Sequence, residues 1–117
     1  APNICARSFS FSINVVHLCQ KLDSRPGVAR ILGRQALRSG TSVGANAEEA
    51  QAAQSRADFV VKFSISLKEA RETNYWLRLL QASGQYNGND LELLVRESEE
   101  LARIIGAIIV RTKNRQK

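Results

Sequence analysis

The chain has 117 residues, with 17 Lys and Arg against 11 Asp and Glu, which gives a formal charge of +6 and a pI near 9.9. Apolar residues make up 44% and charged residues 24%, the balance of one soluble globular domain; this excludes a disordered chain, a second core and a membrane span of roughly 20 apolar residues. The opening segment APNICARSFSFS has neither a basic leader nor a continuous apolar run, so a cytoplasmic protein is expected, and the basic balance favours an anionic partner such as nucleic acid.

The periodicity predicts a first helix over about residues 7–22. Phe9, Ile13, Val16 and Cys19 fall on one apolar stripe, and Phe11, Val15, Leu18 and Leu22 on a neighbouring one. Asp23 to Gly27 breaks the chain, with Asp23 or Ser24 available as a cap and Pro26 tolerated in the first turn of the next helix. Cys5 and Cys19 would lie about 21 Å apart at 1.5 Å rise per residue. Both are therefore expected as reduced thiols, Cys19 in the core and Cys5 near the terminus.

A second helix is expected over about 27–54, where Ile31, Leu32, Ser39, Val43, Ala47 and Ala50 follow a 3.6-residue repeat. Its middle, Ser39 to Ala47, has almost no bulk. Interior glycine costs a helix roughly 1 kcal/mol relative to Ala, so Gly40 and Gly44, four apart on one face, predict a close helix contact that larger side chains would forbid.

The third helix, over about 56–83, begins with a capping arrangement of Ser55 and Asp58 and ends at Gly84, suited to a left-handed cap. Its core stripe runs Phe59, Phe63, Ala70, Leu77, Leu80. Val61, Ile65, Tyr75, Trp76 and Leu79 add apolar surface beyond that stripe, and an extra apolar face of this kind predicts a cover, self-association being the simplest and a ligand groove the alternative. The fourth helix, over about 90–114, has Asn89 or Asp90 as its expected cap and the clearest heptads, with Leu91, Leu94, Leu101, Ile105 and Ile109 in phase. Together these elements predict an all-α, antiparallel up-down-up-down four-helix bundle spanning residues 1–117 as one domain.

The positive charge lies in two blocks. Lys21, Arg25, Arg30, Arg34 and Arg38 against Asp23 give +4, Arg111, Lys113, Arg115 and Lys117 give another +4, and the rest nets −2. Spaced four apart, Arg30, Arg34 and Arg38 are expected to form one ridge on the second helix. An up-down-up-down path puts the two blocks at opposite ends of the protomer, where each is a candidate for contacting nucleic-acid phosphates. Cations near a helix C-terminus also serve its dipole, so solvation alone is the competing explanation.

Catalytic chemistry finds no support. The one histidine, His17, precludes multi-histidine zinc sites and the Glu-x-x-His pairs of di-iron bundles. Ser39 to Gly44 lacks the Gly-Lys-Ser/Thr ending of a phosphate loop. Lys68 and Glu72, four apart, read as a surface pair. A helix-turn-helix with its turn at Gly40 would present Glu48 and Glu49 to DNA, which is electrostatically wrong. No catalytic, cofactor-binding or metal-ligating residue is expected.

The run Leu37 to Asn46, then Glu49-Ala50-Gln51, Ser55, Asp58-Phe59, Lys62, Lys68 to Thr73 and Tyr75-Trp76-Leu77, resembles the bacterial four-helix bundle proteins related to those encoded in intervening sequences of large-subunit ribosomal RNA genes. Ser8 to Phe11, Glu99-Glu100-Leu101 and Ile108-Ile109 fit the same pattern, while Ala36 and Ala47 stand where bulkier residues are common. The resemblance implies a cytoplasmic homo-oligomer, a pentameric ring without enzymatic activity. The related accessory protein of diversity-generating retroelements is a basic pentameric bundle that binds nucleic acid and a reverse transcriptase. By that analogy RNA or DNA, and a reverse transcriptase, are implied as partners. The alternative is a structural or scaffold oligomer acting through protein partners.

Overall fold

The structure, a computed structural model, describes residues 3–115. They form four helices, α1 (Ile4–Asp23), α2 (Val28–Gln51), α3 (Arg56–Ala82) and α4 (Asn89–Asn114). Each packs on its neighbours in sequence, α4 closes against α1, and the backbones of the diagonal pairs stay apart, with only core side chains between them. The result is an antiparallel up-down-up-down bundle of 50 × 21 × 20 Å. Among the described residues no helix is long and apolar enough to cross a membrane.

The ends of the helices follow local chemistry, with several departures from expectation. α1 starts three residues early because the Asn3 side chain caps it, accepting from the Cys5 and Ala6 amides at 2.8 and 3.3 Å. Cys5 is thereby a helical residue. Neither Asp23 nor Ser24 caps α2; Gly27 does so in backbone terms at φ +100°, which favours glycine, and Pro26 stays in the turn. α2 ends at Gln51 rather than near residue 54, leaving a short connection before Ser55, whose hydroxyl accepts from the Asp58 amide at 3.0 Å as its spacing foretold. Beyond α3, Gly84 sits at φ +72°. The Gln85 and Gly84 amides donate back to the Leu80 and Gln81 carbonyls, a Schellman stop. Gly88, not Asn89 or Asp90, holds the N-cap position of α4, because the Asp90 carboxylate is drawn to Lys21 and Tyr86.

The core takes one of the two α1 stripes, Phe11, Val15, Leu18 and Leu22, and packs it with Phe63, Leu77, Leu80, Leu101 and Ile105. Each such side chain, fully buried, contributes about 1.5–3 kcal/mol. The other stripe is left outside except at its end, where Cys19 is buried as expected: Phe9 is 63% exposed, and Ile13 and Val16 are 39% and 36% exposed.

α2 has little bulk because α1 lies directly on it. A Cβ on Gly40 would come within 2.8 Å of Val15, and one on Gly44 within 2.7 Å of the Ser12 hydroxyl. The close contact expected of these two glycines is therefore present. It brings three side chains of α1, seven residues apart, against three carbonyls of α2, also seven apart. The Cys5 thiol donates to Ala47 at 3.1 Å, the Ser12 hydroxyl to Gly40 at 2.9 Å and the Cys19 thiol to Gly33 at 3.0 Å. Each bond is worth about 0.5–1.5 kcal/mol at most. On its other side α2 accepts a bond from Ser66 at the Val43 carbonyl, and the Thr73 hydroxyl donates to that of Ser39.

Candidate nucleic-acid interface

The two basic blocks lie at opposite ends of the bundle, and their side chains are held very differently. Near the α1–α2 turn every cation has a partner. Lys21 pairs with Asp90 at 2.8 Å, and Arg25 donates to the Gln85 carbonyl while lying over the Tyr86 ring, 5.2 Å from its centroid. Burial pushes the Asp90 carboxyl up, but hydrogen bonds from Lys21 and Tyr86 outweigh it and leave the group below its ordinary value.

The three arginines of α2 do not act as one ridge. Positions four apart on a helix advance by about 40° at 3.6 residues per turn, and over two such steps the row turns from α1 towards α3. Arg30 donates to the Asp23 carbonyl at 2.9 Å, Arg34 reaches the Asp23 carboxylate at 3.3 Å, and Arg38 pairs with Glu69 and Glu72 on α3. Glu72 therefore does not make the pair expected with Lys68. The Trp76 indole N–H donates to it at 3.1 Å, and this bond, with that of Arg38, holds the Glu72 carboxyl below its ordinary value. Apart from the pair with the buried Glu69, these ion pairs are exposed and worth at most about 1 kcal/mol, so an incoming phosphate could compete for these arginines.

At the opposite end Arg111, Lys113 and Arg115 are exposed and make no ion pair among the described residues. Lys117, assigned to the same block, lies outside the described residues. Segment counting missed a fourth member, Arg56 at the start of α3, which donates to the Arg115 carbonyl at 3.0 Å. Arg56 and Arg115 border a hollow of about 340 Å³ between the α2–α3 connection and the end of α4. Proximity across helices was the missing signal, because Arg56 is remote from the tail in sequence.

Of the residues assigned to a subunit contact, Val61 and Tyr75 are half exposed and Ile65 less so. Trp76 and Leu79 are partly buried, and Trp76 packs on the core. A second open apolar surface is on α1, where Phe9, Ile13 and Val16 line a groove floored by Thr41, Gly44 and Ala45 of α2. The sequence displayed this stripe but not which of the two α1 stripes would be covered. His17 is exposed on the α1–α4 side, and no group of three His, Cys, Asp or Glu gathers for a metal among the described residues.

Comparison with known proteins points to one family. The family model described as 23S rRNA-intervening sequence protein matches residues 2–107. A crystal structure of a protein with unknown function, from the S23 ribosomal protein family of Bacteroides thetaiotaomicron, is 39% identical with a TM-score of 0.84, over 92% of this chain and 98% of that one. No curated protein matches the chain.

Proposed function

The chain belongs to the 23S rRNA-intervening sequence protein family, and from that premise we propose that it is a nonenzymatic, basic homo-oligomer of the cytoplasm, a pentameric ring, that binds nucleic acid through backbone phosphates. The observation that carries this reading is the end cluster of Arg56, Arg111, Lys113 and Arg115, none of which makes an ion pair among the described residues. Dipole complementation in the last turn of α4 does not account for the whole cluster, because Arg56 stands at the N-terminus of α3, where a cation opposes the dipole. In an antiparallel bundle this end carries the N-termini of α1 and α3 as well as the C-termini of α2 and α4, so the net helix dipole of the end does not call for four cations. Arg30, Arg34 and Arg38 form a secondary surface that phosphates must take from Asp23, Glu69 and Glu72.

Ring assembly is supported by the placement of apolar surface. α1 presents Phe9, Ile13 and Val16 on one flank of α2, and α3 presents Val61 and Ile65 on the other. Two different patches on two flanks suit a head-to-tail contact, which closes into a ring, better than a self-complementary dimer face.

The test is binding to a structured RNA between low and moderate salt. Affinity should fall steeply with salt, with little sequence preference, and Arg111→Glu with Lys113→Glu should weaken it more than Arg30→Glu with Arg34→Glu. Undetectable binding at low salt would overturn the reading. Light scattering should give a mass several times 13.0 kDa, with Ile13→Glu and Val61→Glu lowering it. Trp76 is a poor choice for this purpose, because its packing on the core means that Trp76→Glu would also unfold the protomer.

A further inference from the structure

We propose that the outward face of α3, carrying Lys68, Arg71, Tyr75 and Arg78, is a second nucleic-acid contact that takes an unpaired strand, with phosphates on the three cations and a base stacked on the Tyr75 ring. This rests on the reading of the protein as a nucleic-acid binder and adds to it a site and a form of ligand.

The four residues recur at steps of three, four and three, so they share one side of the helix, and all four are exposed. The ten residues from Lys68 to Arg78 extend about 15 Å at 1.5 Å per residue. No acid interrupts the row. Glu69 and Glu72 lie beside it in sequence but turn towards α2, where Arg38 holds both. Lys68, Arg71 and Arg78 make no ion pair among the described residues, and Arg78 donates only to the Asn74 side-chain oxygen at 2.8 Å. Three cations without an ion pair on one face, whose neighbouring glutamates are already engaged by Arg38, mark a surface of positive potential.

Tyr75 sits between these cations with its ring half exposed, fixed edge-on against Trp76 at 5.1 Å between centroids. An aromatic ring held in place among cations is the arrangement by which single strands are bound without regard to sequence. A duplex keeps its bases stacked inside and would use only the charges. Beside the row, Arg71 and Arg78 border a depression of about 330 Å³ whose floor includes Asn74 and Ser98. Glu99 lies on the same rim and opposes an anion there. Assigning Tyr75 to the strand removes it from the subunit contact and leaves Val61 and Ile65 to serve there.

The experiment measures anisotropy of a labelled 20-nucleotide oligouridylate and of a DNA duplex of matched length, in 50–200 mM salt. Arg71→Glu with Arg78→Glu should weaken both ligands at least tenfold and lower the magnitude of the salt slope by about two. Tyr75→Ala should weaken the single strand by about five- to a hundredfold, from the usual worth of one stacked base, and leave the duplex within twofold. Tyr75→Phe should restore single-strand binding, and Glu99→Gln should tighten it. All are surface positions, and thermal unfolding checks that each variant folds. If the α3 variants bind as the wild type does while Arg111→Glu with Lys113→Glu does not, this site is refuted and the broader reading stands. If Tyr75→Ala weakens strand and duplex alike, the stacking role is refuted. If the wild type binds neither ligand at 50 mM salt, the broader reading falls and this site with it.

Discussion

Ser12 donates its hydroxyl proton to the carbonyl of Gly40 across the α1–α2 contact at 2.9 Å. A helix carbonyl has a second lone pair left after its own i+4 bond, but a neighbouring side chain as short as serine reaches it only when the two backbones are very close. Gly40 is both the acceptor and the reason that the approach is allowed.

Gly40→Ala should destabilise the protein by about 1–2 kcal/mol. Alanine would gain about 1 kcal/mol in helix propensity, but its Cβ would fall 2.8 Å from a Val15 methyl, on a β-branched side chain that cannot rotate away cheaply. Gly106→Ala on α4, where nothing lies within 4 Å of the added carbon, should instead stabilise by up to about 1 kcal/mol. Urea unfolding of the two variants checks this, and equal effects of the same sign would contradict it.

Ser8 and Ser12 should respond oppositely to alanine. Ser8 is fully buried, and its hydroxyl is the one buried side-chain polar atom without a partner among the described residues. Ser8→Ala removes an unpaired group and is expected to be neutral or to stabilise by up to about 1 kcal/mol, whereas Ser12→Ala loses a bond worth about 0.5–1.5 kcal/mol. Thermal melts should rank the three proteins in that order.

Acid should act through Glu72. Its carboxyl is depressed by the Trp76 N–H and by Arg38, so the stability it contributes is complete above the unfolded value of about 4.3 and is lost as pH falls through the lower folded value. Glu72→Gln should flatten the fall in melting temperature below about pH 4.3. Trp76 is the only tryptophan, so its fluorescence follows both unfolding and the local contact. Identical acid profiles for the two proteins would contradict the assignment.

The two thiols should react slowly and in order. Burial pushes Cys19 up to about 11, with the charge of Asp23 adding to it, and burial raises the half-exposed Cys5 as well. With a value of about 11, on the order of one Cys19 in a thousand is thiolate at pH 8. A disulfide reagent should modify Cys5 first in the native protein and both at once in denaturant. A Cys19 that reacts as fast as a free thiol would show that α1 and α2 separate readily.

The helix count, the order of turns, the Ser55 cap, the Gly84 stop and the need for a close contact at Gly40 and Gly44 were all legible from residues near one another in the chain. Each is set by local backbone chemistry or by a period of 3.6 residues. The caps at Gly27 and Gly88 were not, because the polar residues beside them are claimed by other partners: Asp23 by Arg30 and Arg34, and Asp90 by Lys21 and Tyr86.

By itself, the sequence determined an all-α up-down-up-down bundle and two basic blocks at its opposite ends, since period, turn chemistry and helix direction suffice for both. Only the tertiary structure decided which α1 stripe is covered and which cations remain free. Whether Phe11 or Phe9 faces inward, and whether Arg38 or Lys68 takes Glu72, depends on the rotation of each helix against its neighbours. That rotation is fixed by contacts such as Gly40 on Val15 and Ser12 on Gly40, made between residues far apart in the chain.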